Sequence, residues 1–161
     1  MTDSLHGTPA DGDRLRLDHQ LCFPLYAATN LVQRHYRPLL AQIGLTYSQY
    51  LVMLVLWERG TVHVGALRDC LHLDTGTVTP LLKRMEAAGL LTRTRDAGDE
   101  RRVLVALTGH GDALRVPAAA IPARLAAQVG LPLDDLAQLH TLTTRLVDTL
   151  HHGLSDAETP A

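Results

Sequence analysis

The 161-residue sequence has few cysteines, no long apolar run and no excess of charge of either sign. Its two cysteines, Cys22 and Cys70, lie far apart, and the amino terminus lacks the basic and then apolar pattern of a signal peptide. This combination predicts a reducing compartment and argues against a disulfide framework. No apolar run approaches the roughly 20 residues that a membrane-spanning helix needs. We therefore expect a cytoplasmic protein of ordinary globular composition.

The charge of the whole chain does not indicate a nucleic-acid partner, because its formal value is -2. The stretch from Gly76 to Arg95 differs, since it carries four positive side chains and one negative one, Glu86. Charge concentrated on one element of a near-neutral chain is typical of a binding footprint. The plainer alternative is that the basic side chains here and in the following loop only solvate the surface. They are Lys83, Arg84, Arg93, Arg95, Arg101 and Arg102.

Residues 74–107 predict a winged helix-turn-helix. A helix is expected between a capping residue, Asp74 or Thr75, and Gly89, which can end it in a left-handed conformation. Its buried stripe comprises Val78, Leu82 and Met85. Two apolar runs follow, separated by six polar residues, and predict a β-hairpin. Such a module reads DNA by placing the helix in the major groove and the arginine loop in a neighbouring minor groove.

Helical patterns lie on both sides of this segment. The first begins near Leu17, and Pro24 should either kink it or lie in a frayed first turn. Pro38 interrupts the same pattern again, and Thr46 can cap the next helix. The other predicted helices cover residues 47–59, 64–71 and 133–152, with an Ala-rich region after residue 108 that Pro117 and Pro122 interrupt.

The predicted fold class is therefore mainly α with a small β-hairpin wing. Residues 1–13 read as a disordered tail, and residues 14–161 as one domain. Within it, the winged helix covers about 45–108, between dimerisation helices at about 17–43 and 109–152. These flanking helices are too apolar to stand alone in water, so we expect a homodimer that suits a palindromic operator in double-stranded DNA.

Cys22 can be interpreted either as a packing residue or as a reactive thiol. A free cysteine is most often a small core residue, and Cys70, which follows Leu67 at helical spacing, fits that description. Cys22 could instead be a redox thiol, because phenol hydroxyls can donate to a thiolate and tyrosines occur nearby. Tyr36 is fourteen residues away, however, which is roughly 21 Å along one straight helix. The two can meet only if the helix bends back or if the tyrosine belongs to a second subunit.

Several longer runs carry a more specific signal. They are L-C-F-P-L-Y (21–26), H-Y-R-P-L-L (35–40), L-T-Y-S-Q-Y-L (45–51), L-W-E (56–58), L-D-T-G-T-V-T-P-L-L-K-R-M-E (73–86) and D-E-R-R-V (99–103). With these runs the sequence resembles the MarR regulators over nearly all of residues 17–152. Within that family it resembles the organic hydroperoxide sensors called OhrR.

The resemblance implies a role for each matching residue. Cys22 would be the peroxide-sensing thiol, and Tyr36 and Tyr47 would hydrogen-bond it across the dimer. Tyr26 would line the same pocket. The residues themselves add that Phe23, Leu25 and the tyrosine rings offer an organic peroxide an apolar approach to the sulfur. The reduced dimer would bind its operator and repress a peroxidase gene, and oxidation would release it.

The DNA-binding residues follow from the winged helix. We expect Thr75 near a phosphate at the helix N-terminus and Arg101 in the minor groove, with Asp99 close enough to orient the Arg101 guanidinium. The residues expected to face the major groove are Thr77, Thr79, Pro80, Lys83 and Arg84.

The sequence departs from the family pattern in two places. Some of these sensors carry a resolving cysteine in the fifth helix, where this chain has Ala126 and Ala127. The oxidised state should therefore be a sulfenate that goes on to a mixed disulfide with a low-molecular-weight thiol or to over-oxidation. Pro24 follows Cys22 by two positions and affects the geometry of the pocket.

Three rival interpretations belong to other classes. A MarR-type regulator could respond to a small aromatic ligand, with Cys22 incidental to its function. A thiol peroxidase would need a resolving group for turnover, and the sequence offers none, so we expect no enzyme. Metal sensing is suggested only by nine histidines, which lack ligand spacing, so we expect no metal or other cofactor.

Overall fold

The computed structural model describes residues 15–157, with side chains described as far as residue 154. The tail 1–13, for which the sequence predicts disorder, lies outside these residues. The chain forms two compact units, one that ends at Ile121 and one that begins at Pro122. The treatment of residues 14–161 as a single domain stays a prediction.

The first unit is a helical framework around a small antiparallel sheet, which confirms the predicted fold class. Its α-helices are α1 (Cys22–Ala41), α2 (Tyr47–Arg59), α3 (Val64–Cys70), α4 (Thr75–Ala87), α5 (Gly109–Ala113) and α6 (Arg115–Ala118). Its strands are β1 (Val62–His63), β2 (Leu91–Arg95) and β3 (Val103–Leu107), in the order β1-β3-β2. The hairpin was predicted, but β1 was not, because a two-residue strand has no periodicity to detect.

Helix α1 begins later than its apolar pattern suggested. A short 3₁₀ turn occupies Leu17–His19, and α1 starts at Cys22, so Pro24 lies in the first turn. The first-turn amides of a helix lack acceptors, so a proline costs little there. The predicted interruption at Pro38 is wrong, because α1 continues to Ala41. Leu39 and Leu40 are buried immediately after this proline and hold the last turn against the core.

Helix α2 has the predicted boundaries and supplies much of the core. The Thr46 hydroxyl accepts from the Gln49 amide while the Gln49 side chain accepts from the Thr46 amide, which is a capping box. Its buried side chains are Tyr50, Val52, Met53, Val55, Leu56 and Trp57. The Trp57 indole donates to the Gly111 carbonyl at 3.1 Å, which ties α2 to α5. A side chain at Gly111 would collide with the Leu90 carbonyl, so this approach requires glycine.

Helix α4 also ends as predicted. Gly89 has φ of 70° and its amide donates to the Glu86 carbonyl, while the Leu90 amide reaches back to the Met85 carbonyl. These bonds satisfy carbonyls that the helix end leaves free, and they turn the chain directly into β2. Since α4 ends at Ala87 and β2 begins at Leu91, three residues join this helix to the hairpin.

The second unit contains most of α7 (Ile121–Val129) and all of α8 (Leu133–Ala157). The Gly130-Leu131-Pro132 break was predicted, and α8 extends five residues beyond the predicted end at His152. Large apolar side chains on α8 are exposed, as its sequence pattern implied. They are Leu133, Leu139, Leu142, Val147, Leu150 and Leu154. At helical spacing they leave an apolar face that this protomer does not cover.

Among residues 15–157, no single helix is long and apolar enough to cross a membrane. The segments Gly109–Val129 and Leu133–Leu154 reach that length and hydropathy only when taken together.

Candidate nucleic-acid interface and thiol pocket

Helix α4 turns one face to the core and the opposite face to solvent. Val78, Leu81, Leu82 and Met85 are buried. Most of the residues predicted to read DNA lie on the exposed side, and Thr79 is half-buried between the two faces. The exposed ones are Thr75, Thr77, Pro80, Lys83 and Arg84. The structure thus brings the predicted major-groove set together on one surface.

The start of α4 is held by Asp74. Its carboxylate accepts from the Thr77 amide at 2.8 Å and from the Thr77 hydroxyl at 2.7 Å. These two bonds, the one from the hydroxyl being the stronger, hold the pKa of Asp74 below its usual value. The Thr77 hydroxyl therefore already donates to the Asp74 carboxylate. Thr77 can contact a DNA base through its methyl group, or through its hydroxyl if this hydrogen bond rearranges.

The wing loop is closed by hydrogen bonds within itself. The Asp96 amide donates to the Arg102 carbonyl at 3.0 Å, and the Asp96 carboxylate accepts from the Gly98 amide at 2.9 Å. The Asp99 carboxylate accepts from the Arg101 amide at 3.1 Å and lies 3.2 Å from Nε of Arg102. These bonds define the shape of the loop within the protomer.

The wing also corrects one expectation about Asp99. We expected this carboxylate to orient the Arg101 guanidinium, but it pairs with the guanidinium of Arg102. Two successive side chains in a tight loop point in different directions, so Asp99 reaches only the backbone of Arg101. The Arg101 side chain is exposed and has no ion-pair partner among the described residues.

Arg93 is a structural residue of the wing, which its place in the sequence did not reveal. The Glu86 carboxylate accepts from the Arg93 amide at 2.9 Å and from its guanidinium at 2.9 and 2.7 Å. The guanidinium hydrogen bonds, followed by the amide bond, lower the pKa of Glu86. This pair, which we call the Glu86–Arg93 clasp, joins the last turn of α4 to β2. It pairs one positive side chain of the footprint with its one negative side chain, so Lys83, Arg84 and Arg95 still give an excess of three positive charges.

A cavity of about 590 Å³ lies between α3, α4 and the wing. Its walls include Thr75 and Thr79 from α4 together with Arg101 and Arg102 from the wing. Val78, Leu82 and Val103 contribute apolar surface, and Arg68 also lines the cavity, where its guanidinium is paired with the Asp69 carboxylate at 2.7 Å. Helix α4 and the wing therefore border one concave, basic surface. A module that places a helix and a wing in adjacent grooves of DNA requires such a surface.

Cys22 lies in the first turn of α1 and is exposed. Tyr26, one turn further along, is 69% exposed, and Phe23 is 38% exposed. Because α1 is continuous from Cys22 to Ala41, Cys22 and Tyr36 are roughly 21 Å apart within one protomer. A protomer does not bring its own thiol to the tyrosines that were predicted to support it.

Those tyrosines instead form a cluster at the junction of α1 and α2. The ring of Tyr36 lies 5.0 Å from that of Tyr47 and 5.7 Å from that of Tyr50, and Tyr50 contacts Trp57 at 6.3 Å. Burial, and then the neighbouring Tyr50 and Tyr47 hydroxyls, raise the pKa of Tyr36 to about 12. Burial likewise raises the pKa of Tyr47 and of Tyr50. All three phenols therefore keep their protons near neutral pH and can act as donors.

Sequence reasoning assigned no role to Tyr50. Its position three residues after Tyr47 on one helix was the available signal, since residues at that spacing share a face. The remaining thiol, Cys70, is half-buried on α3. No group of three or more potential metal ligands occurs within the part of the chain that the structure describes.

Comparisons with known proteins place the chain in a family. The profile described as transcriptional regulator SarA/Rot matches residues 34–114. The chain is 44% identical over 139 residues to the organic hydroperoxide resistance transcriptional regulator of Bacillus subtilis (strain 168), which covers 86% of this chain and 95% of that protein.

Solved structures agree with this assignment. Reduced AbfR bound to DNA matches with a TM-score of 0.73 and 32% identity, over 90% of this chain and 99% of that one. Overoxidised AbfR bound to DNA matches with a TM-score of 0.69 and 32% identity, over 87% and 99% of the two chains. AbfR is a protein of Staphylococcus epidermidis. The chain therefore belongs to the MarR family of winged-helix transcriptional regulators and, within it, to the organic hydroperoxide sensors that its sequence motifs resemble.

Proposed function

We propose that this protein is a dimeric repressor that binds a palindromic operator and releases it when an organic hydroperoxide oxidises Cys22. The observation that carries the proposal is the arrangement of the two regions. One concave basic surface is complete within a protomer, whereas an exposed thiol and a cluster of tyrosine donors lie too far apart to meet within one. A second copy of the chain can complete the thiol pocket.

In the DNA complex, the exposed face of α4 enters the major groove. Thr77, Thr79, Pro80, Lys83 and Arg84 supply this face, and Thr75 lies near a phosphate at the helix start. Arg101 enters the minor groove, where a guanidinium responds to groove width and potential. Asp99 contributes by holding the wing loop in shape through the Arg101 amide and the Arg102 guanidinium.

In the sensor, Tyr36 and Tyr47 of one protomer donate to the sulfur of Cys22 of the partner subunit. Their hydroxyls make no hydrogen bond to any residue that the structure describes, so both are available to an acceptor from outside the protomer. Tyr26 and Phe23 lie beside Cys22 on α1 and give an organic peroxide an apolar approach.

Oxidation changes the size and charge of the group at sulfur. The Cys22 thiolate attacks one oxygen of the hydroperoxide, the O–O bond breaks, and the alkoxide takes a proton and leaves as an alcohol. The sulfur is thereby oxidised to a sulfenic acid and the peroxide is reduced. A low-molecular-weight thiol then condenses with the sulfenic acid, with loss of water, to give a mixed disulfide.

The mixed disulfide is the better candidate for the state that releases DNA. It adds a bulky group, which a packed pocket accommodates only by displacing its neighbours. The relative AbfR is bound to DNA in both its reduced and its overoxidised forms. A coupling of about 1–3 kcal/mol between the thiol site and the DNA site would lower operator affinity some 5–150-fold.

The protein acts as a regulator and not as an enzyme, and it works in the cytoplasm, where its operator and a pool of small thiols are found. It needs no cofactor, because the reacting group is a side chain of the chain itself.

Replacing Cys22 tests the sensor directly. We expect Cys22→Ser to bind operator with the affinity of the parent protein and to remain bound when cumene hydroperoxide and a small thiol are added, as measured by gel shift. Cys70→Ser is the matched control and should be released like the parent. If Cys22→Ser is released by the peroxide, the redox mechanism fails and a small aromatic ligand becomes the better explanation of induction.

A further inference from the structure

Tyr50 has a largely buried ring whose hydroxyl oxygen still reaches the surface of the protomer and has no partner among the described residues. Its side chain is only 2% exposed, and its hydroxyl makes no hydrogen bond to any part of the chain between residues 15 and 157. Buried tyrosines usually direct their hydroxyl to a polar partner, and one whose oxygen reaches the surface can donate to an acceptor from outside. The Tyr50 hydroxyl is therefore open to an acceptor that a second protomer brings.

The surroundings of Tyr50 indicate where that acceptor lies. Tyr47 and Tyr50 are three residues apart on α2 and share a face, and the ring of Tyr36 packs against both. The three phenols thus form one donor cluster. An acceptor that reaches the Tyr36 and Tyr47 hydroxyls from outside comes within the neighbourhood of Tyr50 as well.

We propose that the Tyr50 hydroxyl donates a hydrogen bond to the sulfur of Cys22 of the partner subunit, as a third phenol beside Tyr36 and Tyr47. The proposal rests on the proposed function, because it assumes that Cys22 enters this cluster in the dimer. Within one protomer it could not hold, since Tyr50 packs against Tyr36, which is roughly 21 Å from Cys22 along α1.

A third donor makes Tyr50 a positioning residue for the sensing thiol. Three donors around one sulfur favour the thiolate over the neutral thiol and fix the direction from which a peroxide can approach. Tyr50 packs on Trp57, which is itself hydrogen-bonded to α5, and these contacts hold the Tyr50 ring in place.

Mixed dimers with a single reactive thiol test the proposal, with Cys70→Ser in every chain. In the first dimer, one protomer carries Cys22→Ser and Tyr50→Phe, and the other keeps both residues. In the second dimer, one protomer carries Cys22→Ser, and the other carries Tyr50→Phe. The two dimers have the same composition, but only in the first does the intact Cys22 face a partner without the Tyr50 hydroxyl. The readout is the rate of Cys22 alkylation by iodoacetamide across a range of pH.

We expect about tenfold slower alkylation at neutral pH in the first dimer, since a hydrogen bond to a charged group typically shifts an equilibrium by at least that factor. The second dimer should react at the rate of one with Tyr50 intact in both chains. Equal rates in the two dimers would overturn the proposal, whether both match the reference or both are slow because Tyr50→Phe disturbs folding. Failure of the proposed function is a separate result, seen when Cys22→Ser is still released from DNA by peroxide.

Discussion

The winged region and the thiol region differ in how far one protomer pairs the side chains that their functions use, although the one buried side-chain atom without a partner among the described residues, Nδ1 of His63, belongs to the winged region. Around the wing, Asp74, Glu86 and Asp99 each have partners within the same region, and the loop is closed by its own backbone. At the tyrosine cluster three phenols lack hydrogen-bond partners among the described residues, and the thiol lies exposed on the far end of α1. The reading surface therefore lies within one protomer, whereas the sensor that we propose is completed by a second one.

Operator affinity can therefore be lowered in two ways, by damage to the wing or by damage to the dimer, and the two should affect the thiol differently. Damage to the wing should alter DNA binding without altering the thiol chemistry. Damage to the dimer should alter both, because in the proposed mechanism dimerisation completes the thiol pocket and also sets the spacing of the two recognition helices.

The largest effect is expected from breaking the apolar face of α8. Leu142→Glu combined with Leu150→Glu places two charges on side chains that are 55% and 59% exposed in the protomer. If a second copy covers this face, the variant should be a monomer by light scattering at micromolar concentration and should lose more than about 100-fold in operator affinity, since two half-sites no longer act together. Thr144→Glu, on the opposite side of α8, is the control and should remain dimeric. A dimeric double variant would refute our assignment of this face.

A smaller effect is expected from opening the Glu86–Arg93 clasp. Glu86→Gln keeps the shape of the side chain but removes the charge that accepts three hydrogen bonds from Arg93. The wing should then be less firmly placed relative to α4, and operator affinity should fall about tenfold, in the range usual for a lost charge-assisted contact.

Arg101→Ala distinguishes placement of the wing from a general loss of stability. If Glu86 acts by positioning the wing, Glu86→Gln should cost little affinity in the Arg101→Ala background, because the minor-groove contact is already absent. Additive losses in the double variant would contradict this role. Thermal unfolding of each variant provides the comparison of stability.

The smallest effect is expected for a single phosphate contact. Lys83→Ala should weaken binding similarly for all DNA sequences and should lower the slope of log affinity against log salt by about one. Arg93→Lys is a useful comparison, because it keeps the charge of a residue that is engaged with Glu86 and should leave the salt slope unchanged. An unchanged slope in Lys83→Ala would show that this lysine does not contact phosphate.

Local features of the chain were predictable because their causes are local. The capping box at Thr46, the cap at Asp74 and the left-handed Gly89 each depend on a few neighbouring residues, and the structure has all three. The periodic burial of α4 and the apolar runs of the hairpin were predictable for the same reason. The sequence motifs also identified the family, since the cysteine and the tyrosines occur at their motif positions.

The pairings of charges and rings required the tertiary structure. The sequence shows Glu86 and Arg93 seven residues apart, but only the turn at Gly89 and the start of β2 bring them together. From the sequence, the Asp99 carboxylate could pair with Arg101 or with Arg102, and the shape of the loop decides for Arg102.

The same holds for Tyr50, whose neighbour Tyr36 is on another helix. What the sequence determined by itself was therefore the set of elements and the chemistry that they carry. Which side chains meet was decided by the packing of elements against one another, because those contacts join residues that no local pattern relates.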